Sequence, residues 1–338
     1  MKSKINGIRD VALRAGVSTA TVSRAINNPA AVRPEARSRV EAAIVHLGYI
    51  PDASARALSS GRTRTIGAIV PTIDNATFAR GIDSLQLYLS ARGYLLLLAS
   101  NGYDPEVEYR QVQNMASRGI DGLILIGDLH LESLHRLVAA QRIPFINVSV
   151  YHPGKPYASV GVNNETAGYR ACLHLLDLGH RDIGMIAAQA ANNDRAAGRL
   201  AGVRRALAEA GRSLPSEWLI EVRYRLDDAR QAARVVLSLP RRPTALVCAN
   251  DVVAYGVVME ARRKGLQVPS DLSVVGFDDL EWSRHLQPSL TTIHFPTDEV
   301  WSRAGEYIIN TLEGLPATLH HEVDAPLVVR ESTAVLRG

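Results

Sequence analysis

The sequence predicts a small all-α module followed by an α/β body of two doubly wound parallel-sheet lobes. Three observations carry this prediction. The first fifty residues hold three short helical patterns and no apolar run of strand length. From Thr65 onward, apolar runs of strand length alternate with amphipathic helical segments, and that alternation runs through twice. A chain of 338 residues with 46% hydrophobic composition is long enough for two or three domains with sizeable cores, which excludes disorder as its overall state.

The helical module is justified residue by residue. Ile8, Val11, Ala12 and Ala15 recur at helical spacing and stop at Gly16. Ser18 is placed to cap a second helix, Thr19 to Ile26, which ends at Asn27-Asn28-Pro29. A third helix opens at Pro34 with Glu35 in its first turn, presents Val40, Ala43, Ile44 and Leu47 on one face, and ends at Gly48. Two helices joined by a short Gly-containing turn, with a third packed across them, form a helix-turn-helix arrangement. The next segment, Asp52 to Leu58, has good helix formers over only about seven residues, below the ~12–15 needed for an isolated helix in water. It reads as a conditional hinge that orders when something packs on it.

In the body, Ile66–Val70, Tyr94–Ala99, Gly122–Ile126 and Phe145–Val150 read as strands, separated by helices at Phe78–Ala91, Pro105–Ser117 and Leu131–Ala140. The second round begins with helix Glu165–Leu178. Its strands are Ile183–Ala187, Leu219–Val222, Ala245–Ala249 and Ser273–Phe277, with helices Arg199–Ala210, Asp227–Leu237 and Asp251–Lys264 between them; Val328–Val329 reads as the last strand. Ligands of such sheets bind beyond the carboxyl ends of the strands, so two lobes define a cleft.

Charge is unevenly placed. The formal total is +4, from 38 Lys and Arg against 34 Asp and Glu. The first 65 residues hold eleven basic and four acidic side chains, a local +7, which leaves −3 for the rest. A basic end on an ordinary globular body is the footprint of a polyanion-binding module. Cys172 and Cys248, the only thiols, fit no disulfide or CxxC spacing, which points to a reducing compartment. The longest apolar stretch, Tyr94–Ala99, falls far short of the ~20 residues a membrane span needs, and the N-terminus lacks a secretory pattern.

The segments IRDVALRAGVSTATVSRAINN and RVEAAIVHLGYIPDASARAL closely resemble the headpiece and hinge of the lactose-repressor/galactose-repressor (LacI/GalR) family of transcription factors. The likeness continues through RTIGAIVP, GIDGLIL, SVGVNNETAG, LLDLGHRDIGMI, GRLAGVRRAL, ANDVVAYG, VPSDLSVVGFDD and PSLTTI, over nearly the whole chain and in order. The resemblance implies a cytoplasmic, usually dimeric regulator with a periplasmic-binding-protein-like core that binds a small effector between its lobes. It implies a headpiece over 6–50, a hinge over 51–63 and a core over 64–338. The core's N-lobe would comprise 64–161 plus 294–322, and its C-lobe 162–293 plus 323–338.

A recognition helix reads base edges with its first residues, here Thr19 and Ala20, and, one turn on, Arg24. Arg24 suits a guanine O6/N7 pair, and Ala20 or the Thr19 methyl suits a thymine methyl. Ser18, Ser23 and Asn27 are short polar groups suited to phosphate oxygens. The resemblance places Leu58 where relatives push an apolar wedge into the minor groove. It also marks Arg199, Asn250 and Asp278 as effector ligands, with Phe78 and Tyr224 as aromatic walls. The motif SVGVNNETAG carries Asn163 where many relatives have Asp, and Ser149 stands near a position that is often acidic. Fewer carboxylates make the cleft less hostile to an anion, so a sugar acid stands beside a neutral sugar as the expected effector. Ala76-Thr77 replaces a common Pro-Phe before Phe78, and Gly198 and Gly202 read as helix-packing positions.

The expected partners are double-stranded operator DNA, a sugar or sugar-acid effector and a second copy of the chain. With no heptad segment after the last strand, a dimer is expected rather than a tetramer. No catalytic residue, metal ligand or cofactor motif is found: GxGxxG, GxxxxGK, HExxH and GxSxG are all absent. His130 with His135, and His320 with His321, lack supporting ligand spacing. His180, after Gly179, reads as a helix-end cap. The alternatives are a sugar-binding transport component, which would need a signal peptide and no basic headpiece, and a carbohydrate-active enzyme, which would need a catalytic carboxylate pair.

Overall fold

The computed structural model describes residues 6–50 and 61–336. The chain divides into two compact units, Met1–Thr63 and Arg64–Gly338. In the first, α1 (Ile8–Ala15), α2 (Thr19–Asn27) and α3 (Pro34–Leu47) surround a small core of Val11, Ala12, Ala15, Val22, Ala25, Val40 and Ala43. None of these helices has a length that would hold it folded alone in water, so packing on that core stabilises all three. Gly16 adopts the left-handed conformation that ends α1 and turns the chain into α2, whose first turn is capped by Ser18 Oγ accepting from Thr21 N at 3.1 Å. The conditional hinge, including Leu58, lies outside the described residues.

The second unit contains two six-stranded sheets. In chain order its elements are β1 (Thr65–Val70), α4 (Ala76–Ser90), β2 (Leu95–Ser100), α5 (Pro105–Ser117), β3 (Gly122–Ile126), α6 (Glu132–Ala140), β4 (Phe145–Val148), β5 (Ser159–Gly161) and α7 (Asn164–Asp177). Then come β6 (Ile183–Ala188), α8 (Asp194–Glu209), β7 (Leu219–Val222), α9 (Leu226–Val236), β8 (Ala245–Cys248), α10 (Asp251–Arg263) and β9 (Ser273–Asp278). β10 (Thr291–His294), α11 (Thr297–Glu313), β11 (His320–Glu322) and β12 (Leu327–Val328) complete the fold.

The first sheet has the order β11-β5-β4-β3-β1-β2 and is parallel throughout. The second has the order β12-β10-β9-β8-β6-β7 and is parallel except for the β10–β12 pair. The chain passes between the lobes after β5, after β10 and after β11, so each sheet is completed by a segment from the far end of the sequence. A parallel sheet covered on both faces needs uninterrupted apolar strands, and β1, β3 and β6 supply them: TIGAIV, GLILI and IGMIAA are buried almost without exception.

The expected alternation is therefore present twice, with two shifts of boundary that matter for the site. α4 starts at Ala76 rather than Phe78, because Asn75 accepts from Thr77 N. α8 starts at Asp194 rather than Arg199, because Asn193 accepts from Ala196 N and adds a turn at the helix start. The sequence assigns residues 294–322 to the N-lobe by resemblance but names no element over 291–322, which carry β10, α11 and β11. The His180 backbone does help cap α7, donating to the Leu175 carbonyl at 3.1 Å, and its side chain does more. It is buried, and its ring shares hydrogen bonds with Thr244 Oγ1 (2.9 Å), Ser273 Oγ (3.0 Å) and the Ala334 carbonyl (3.2 Å), tying strand ends of the second sheet to the C-terminal segment.

Gly202 lets α8 cross α7 at backbone contact. A Cβ there would lie 2.0 Å from the Glu165 carbonyl oxygen, and one on Gly168 of α7 would lie 2.2 Å from that of Arg199. This crossing fixes the height at which Arg199 leaves its helix. Gly202→Ala should destabilise the chain by about 1–3 kcal/mol through overpacking, read as a lower urea midpoint with unchanged slope. A wild-type midpoint would show that the helices separate freely.

Candidate functional site

On the headpiece, Val22 and Ala25 face inward, and the opposite face of α2 presents Thr19, Ala20, Arg24 and Asn27 to solvent, with Ser18 just before it. Ser23 is half-buried and accepts from Asn27 Nδ2 at 3.4 Å. Ser18 does cap the helix, and its hydroxyl also pairs with Thr21 Oγ1 at 2.9 Å, leaving the residue itself exposed. Arg9, Arg14, Arg33, Arg37 and Arg39 are exposed on the same small unit. A solvent-facing helix in a basic setting, held in a turn of fixed geometry, is what insertion into a major groove requires.

In the core unit, the carboxyl ends of both sheets converge on a cavity. The first lobe contributes Asn75, Thr77 and Phe78 after β1, Tyr103 after β2 and Ser149 after β4. The second contributes Arg195 and Arg199 on α8, Tyr224 after β7, Asp278 at the end of β9 and Phe295 after β10. Five of the sequence-predicted residues therefore meet here: Phe78, Ser149, Arg199, Tyr224 and Asp278. Asn250 stands one layer behind. It is buried, caps α10 by accepting from Val253 N at 3.0 Å, and hydrogen-bonds Asp278. Asn163 does not line the cavity; its side chain caps α7, accepting from Thr166 N at 3.0 Å.

The neighbouring Asn164 does not line it either, but ties the cavity's residues together. Its Nδ2 donates to the Ser149 carbonyl across the lobe boundary at 2.9 Å, while its Oδ1 accepts from Arg199 Nε at 3.0 Å. Arg199 also donates from Nη1 to the Ala249 carbonyl at 2.8 Å and lies over the Phe277 ring, 3.3 Å from its centroid. Nη2 is the donor left for a ligand. Burial lowers the Arg199 pKa from its ordinary value. Burial pushes Asp278 up to about 6, although Arg199, Thr77 and Asn250 all favour its charge; Thr77 Oγ1 donates to it at 2.8 Å. Burial also raises the Tyr103 hydroxyl, which stays protonated as a donor.

Arg195, Tyr103, Asn75 and Phe295 were missed from the sequence, where Thr77 stands out only as a departure beside Phe78. Tyr103 sits in the turn NGYDP, and Arg195 looks like any charge on an amphipathic helix. The backbone marks the cavity more clearly. Of the seven non-glycine residues with positive φ among the described ones, Tyr103 (64°), Ser149 (68°) and Asp278 (109°) line it, and Asp279 (55°) adjoins it. Such conformations cost about 1–3 kcal/mol each and cluster where a site is held in a set geometry.

Beneath Asp278, Asp251 accepts from Thr292 Oγ1 and Ser283 Oγ, each at 2.6 Å, and from Leu280 N at 2.8 Å. Burial pushes it up to about 7. Both carboxyls lie above the ordinary aspartate range, so each contributes stability that is present at low pH and lost as pH rises through about 6 for Asp278 and about 7 for Asp251. The melting temperature should accordingly fall between about pH 4 and 7, and Asp278→Asn should remove the part of that fall that lies between about 4 and 6. An unaltered profile in Asp278→Asn would show that this carboxyl does not titrate in the folded chain.

Among the described residues no group of three or more His, Cys, Asp or Glu is placed to hold a metal, and no helix is long and apolar enough to cross a membrane.

Comparison with known proteins is consistent with both units. Residues 7–52 match the family described as bacterial regulatory proteins, lacI family, and residues 172–333 match a periplasmic binding protein-like domain. The HTH-type transcriptional repressor PurR of Klebsiella pneumoniae (strain 342) is 34% identical over 330 residues, covering 97% of this chain and 96% of that protein. PurR of Vibrio cholerae (strain M66-2) is 35% identical over 311 residues, covering 90% and 91%. Among solved structures, a lac repressor dimer bound to operator and the anti-inducer ONPF superposes with a TM-score of 0.87 at 26% identity, covering 98% of this chain and 100% of that one. A complex of the transcriptional regulator CelR with cellobiose superposes with a TM-score of 0.69 at 27% identity, covering 97% and 99%.

Proposed function

The chain belongs to the LacI family of bacterial transcriptional regulators and is a DNA-binding repressor; from that premise we propose that it binds a pseudo-palindromic operator as a homodimer and is controlled by a small polar effector held in the interlobe cavity. The observation that carries this reading is the pairing of an exposed, basic-flanked recognition helix with a cavity lined by polar and aromatic side chains at the carboxyl ends of two sheets.

On the DNA side, Thr19, Ala20 and Arg24 read base edges, while Ser18, Ser23 and Asn27 hold phosphates. Leu58 serves as the minor-groove wedge. Dimerisation is supported by the outer edge of the first sheet, where Leu95 of β2 is 69% exposed and Leu87 of the adjacent α4 is 65% exposed. Unpaired strand edges with apolar side chains favour a partner. The effector acts by its differential affinity for two lobe arrangements, as inducer or corepressor. Residues 64–161 with 294–322 form one of those lobes, and 162–293 with 323–338 the other.

The cavity favours an acceptor-rich ligand. Two guanidiniums, the Tyr103 and Tyr224 hydroxyls, Thr77, Ser149 and Asn75 face it, against the single carboxylate of Asp278. A sugar acid fits that balance: its carboxylate meets Arg195 or Arg199, and a hydroxyl donates to Asp278. A second reading rests on the Tyr103 and Tyr224 rings, whose centroids lie 6.5 Å apart at an interplanar angle of 28°. That spacing admits a flat heterocycle such as a nucleobase between them.

Replacing Arg24 with Ala should cost roughly 1–3 kcal/mol at one base position and relax specificity there, measured by binding to an operator series with single substitutions. A uniform loss over all sequences would reassign Arg24 to a phosphate. For the effector, melting shifts against neutral sugars, sugar acids and nucleobases should be largest for a sugar acid and vanish in Asp278→Ala. A shift confined to nucleobases would establish the ring-stacking reading instead.

A further inference from the structure

The lobes are joined beside the cavity by a charged cluster of which the effector reading uses only Arg195. Gly127 and Asp128 follow β3 in the first lobe; Asp194 and Arg195 open α8 in the second. Asp128 N donates to Asp194 Oδ2 at 2.7 Å, and the two carboxyl groups lie within hydrogen-bond reach of each other. Asp194 Oδ1 accepts from Arg195 N at 2.9 Å and from Arg195 Nη1 at 2.6 Å, and Arg195 reaches the Tyr103 hydroxyl of the first lobe. Asp128 Oδ2 is met from its own lobe by His152 Nδ1 at 2.5 Å and Lys155 Nζ at 3.4 Å. Asp128, Asp194 and Arg195 side chains are only 7%, 10% and 8% exposed.

The approach is close enough to dictate a residue type. A Cβ on Gly127 would lie 2.1 Å from Arg195 Nη1 and 2.6 Å from Asp194 Oδ1, and the residue adopts φ +80°. The loop is also held from behind. His130 shares hydrogen bonds with the Gly127 carbonyl (3.1 Å) and Asn147 Oδ1 (3.2 Å) through Nε2, and with buried Glu108 (2.7 Å) through Nδ1. This buried pair, unexplained by DNA or effector binding, positions the Gly127–Asp128 turn.

We propose that Asp128 and Asp194 share one proton across the lobe boundary and that this contact is the latch holding the cleft closed. Two adjacent buried carboxylates repel unless one is protonated. Burial raises Asp194 above the usual carboxylate range. Burial also works to raise Asp128, but the hydrogen bonds from Asp194 and His152 outweigh it, so Asp194 holds the proton and donates it to charged Asp128. The latch extends the reading of the cleft as the effector site by naming what its two arrangements differ in.

The test needs no effector, so its failure is distinct from failure of that reading. Exposed Arg136 and Arg204, one on each lobe, are replaced by Cys in the full chain and spin-labelled; the native Cys172 and Cys248 are buried. Labelled chain is diluted with excess unlabelled chain, and the interlobe distance is measured by pulsed electron resonance. Asp128→Ala and Asp194→Ala should each shift the distribution by several ångströms toward longer distances. Their double variant should match Asp194→Ala, which removes both the carboxyl pair and the acceptor of the Asp128 N–H, whereas Asp128→Ala removes only the carboxyl pair. Asp128→Asn should keep the short distance, since an amide pairs with Asp194 without repulsion. Should Asp194→Ala fail to fold for lack of its helix-start charge, Asp128→Ala, from the other lobe, decides alone. Unchanged distances in Asp128→Ala, or additive shifts in the double variant, would overturn the latch.

Discussion

A buried guanidinium has to have its donors occupied, and the cleft is organised around meeting that demand for Arg199. Leaving such a cation unpartnered costs far more than any single hydrogen bond returns. The chain meets the cost from three directions. Phe277 lies under the guanidinium face, the Ala249 carbonyl takes one terminal nitrogen, and Asn164 takes Nε while reaching Ser149 in the opposite lobe. Each partner comes from a different strand end, so the second sheet has to have its β6-β8-β9 order for Arg199 to be satisfied. The close α7–α8 crossing through Gly168 and Gly202 serves the same end, because it sets where Arg199 starts.

That demand has a conformational cost at the same place. Asp278 and Asp279 take positive φ at the end of β9, which sends Asp278 toward Thr77 and Asn250 and Asp279 toward Arg330 and His294. Ser149 and Tyr103 are strained in the same way on the facing lobe. Strain kept on both sides of a gap, with a desolvated carboxylate and cation between, is paid by the large apolar cores behind it. Asp278 Oδ2 accepts from Thr77 of the facing lobe, so a ligand that hydrogen-bonds Asp278 meets a carboxylate that already joins the lobes.

How much of this the sequence displayed depends on whether a residue's job is local. Strands β1, β3 and β6 were legible because each is one unbroken apolar run, and α1 to α3 because caps and glycine stops lie beside the residues they serve. β5, β10 and β11 are three or four residues long and carry Ser, Thr and His, and only neighbours far away in sequence make them strands. The amphipathic face of α11, with Val300, Trp301, Ala304 and Ile308, was present in the pattern, but a chain that changes lobe at Phe295 interrupts the alternation by which the others were read. The same distinction separates Asn163 from Asn164. Both sit in one motif, and which of them reaches the cavity's residues is decided by helix phase and the Arg199 contact. His130 appeared to lack a carboxylate because Glu108 is supplied by packing, not by spacing.

The charge distribution acquires a mechanical meaning from this geometry. In the headpiece, basic side chains stand in solvent, where a polyanion adds to them with little desolvation. In the core, charges of both signs are buried in matched sets, and each set spans two elements: Arg199 with Asp278, Arg330 with Asp279, and Arg195 with Asp194 and Asp128. Removing one partner from such a set leaves the other uncompensated, so the sets break abruptly rather than stretch. Surface pairs such as Arg37–Glu41 have no such property, because water replaces either partner at once. A protein that has to convert occupation of a small cavity into one of two lobe arrangements gains from contacts that are either made or lost. The desolvated polar contacts at the cleft therefore suit switching, because a buried charge left without its partner makes intermediate separations costly.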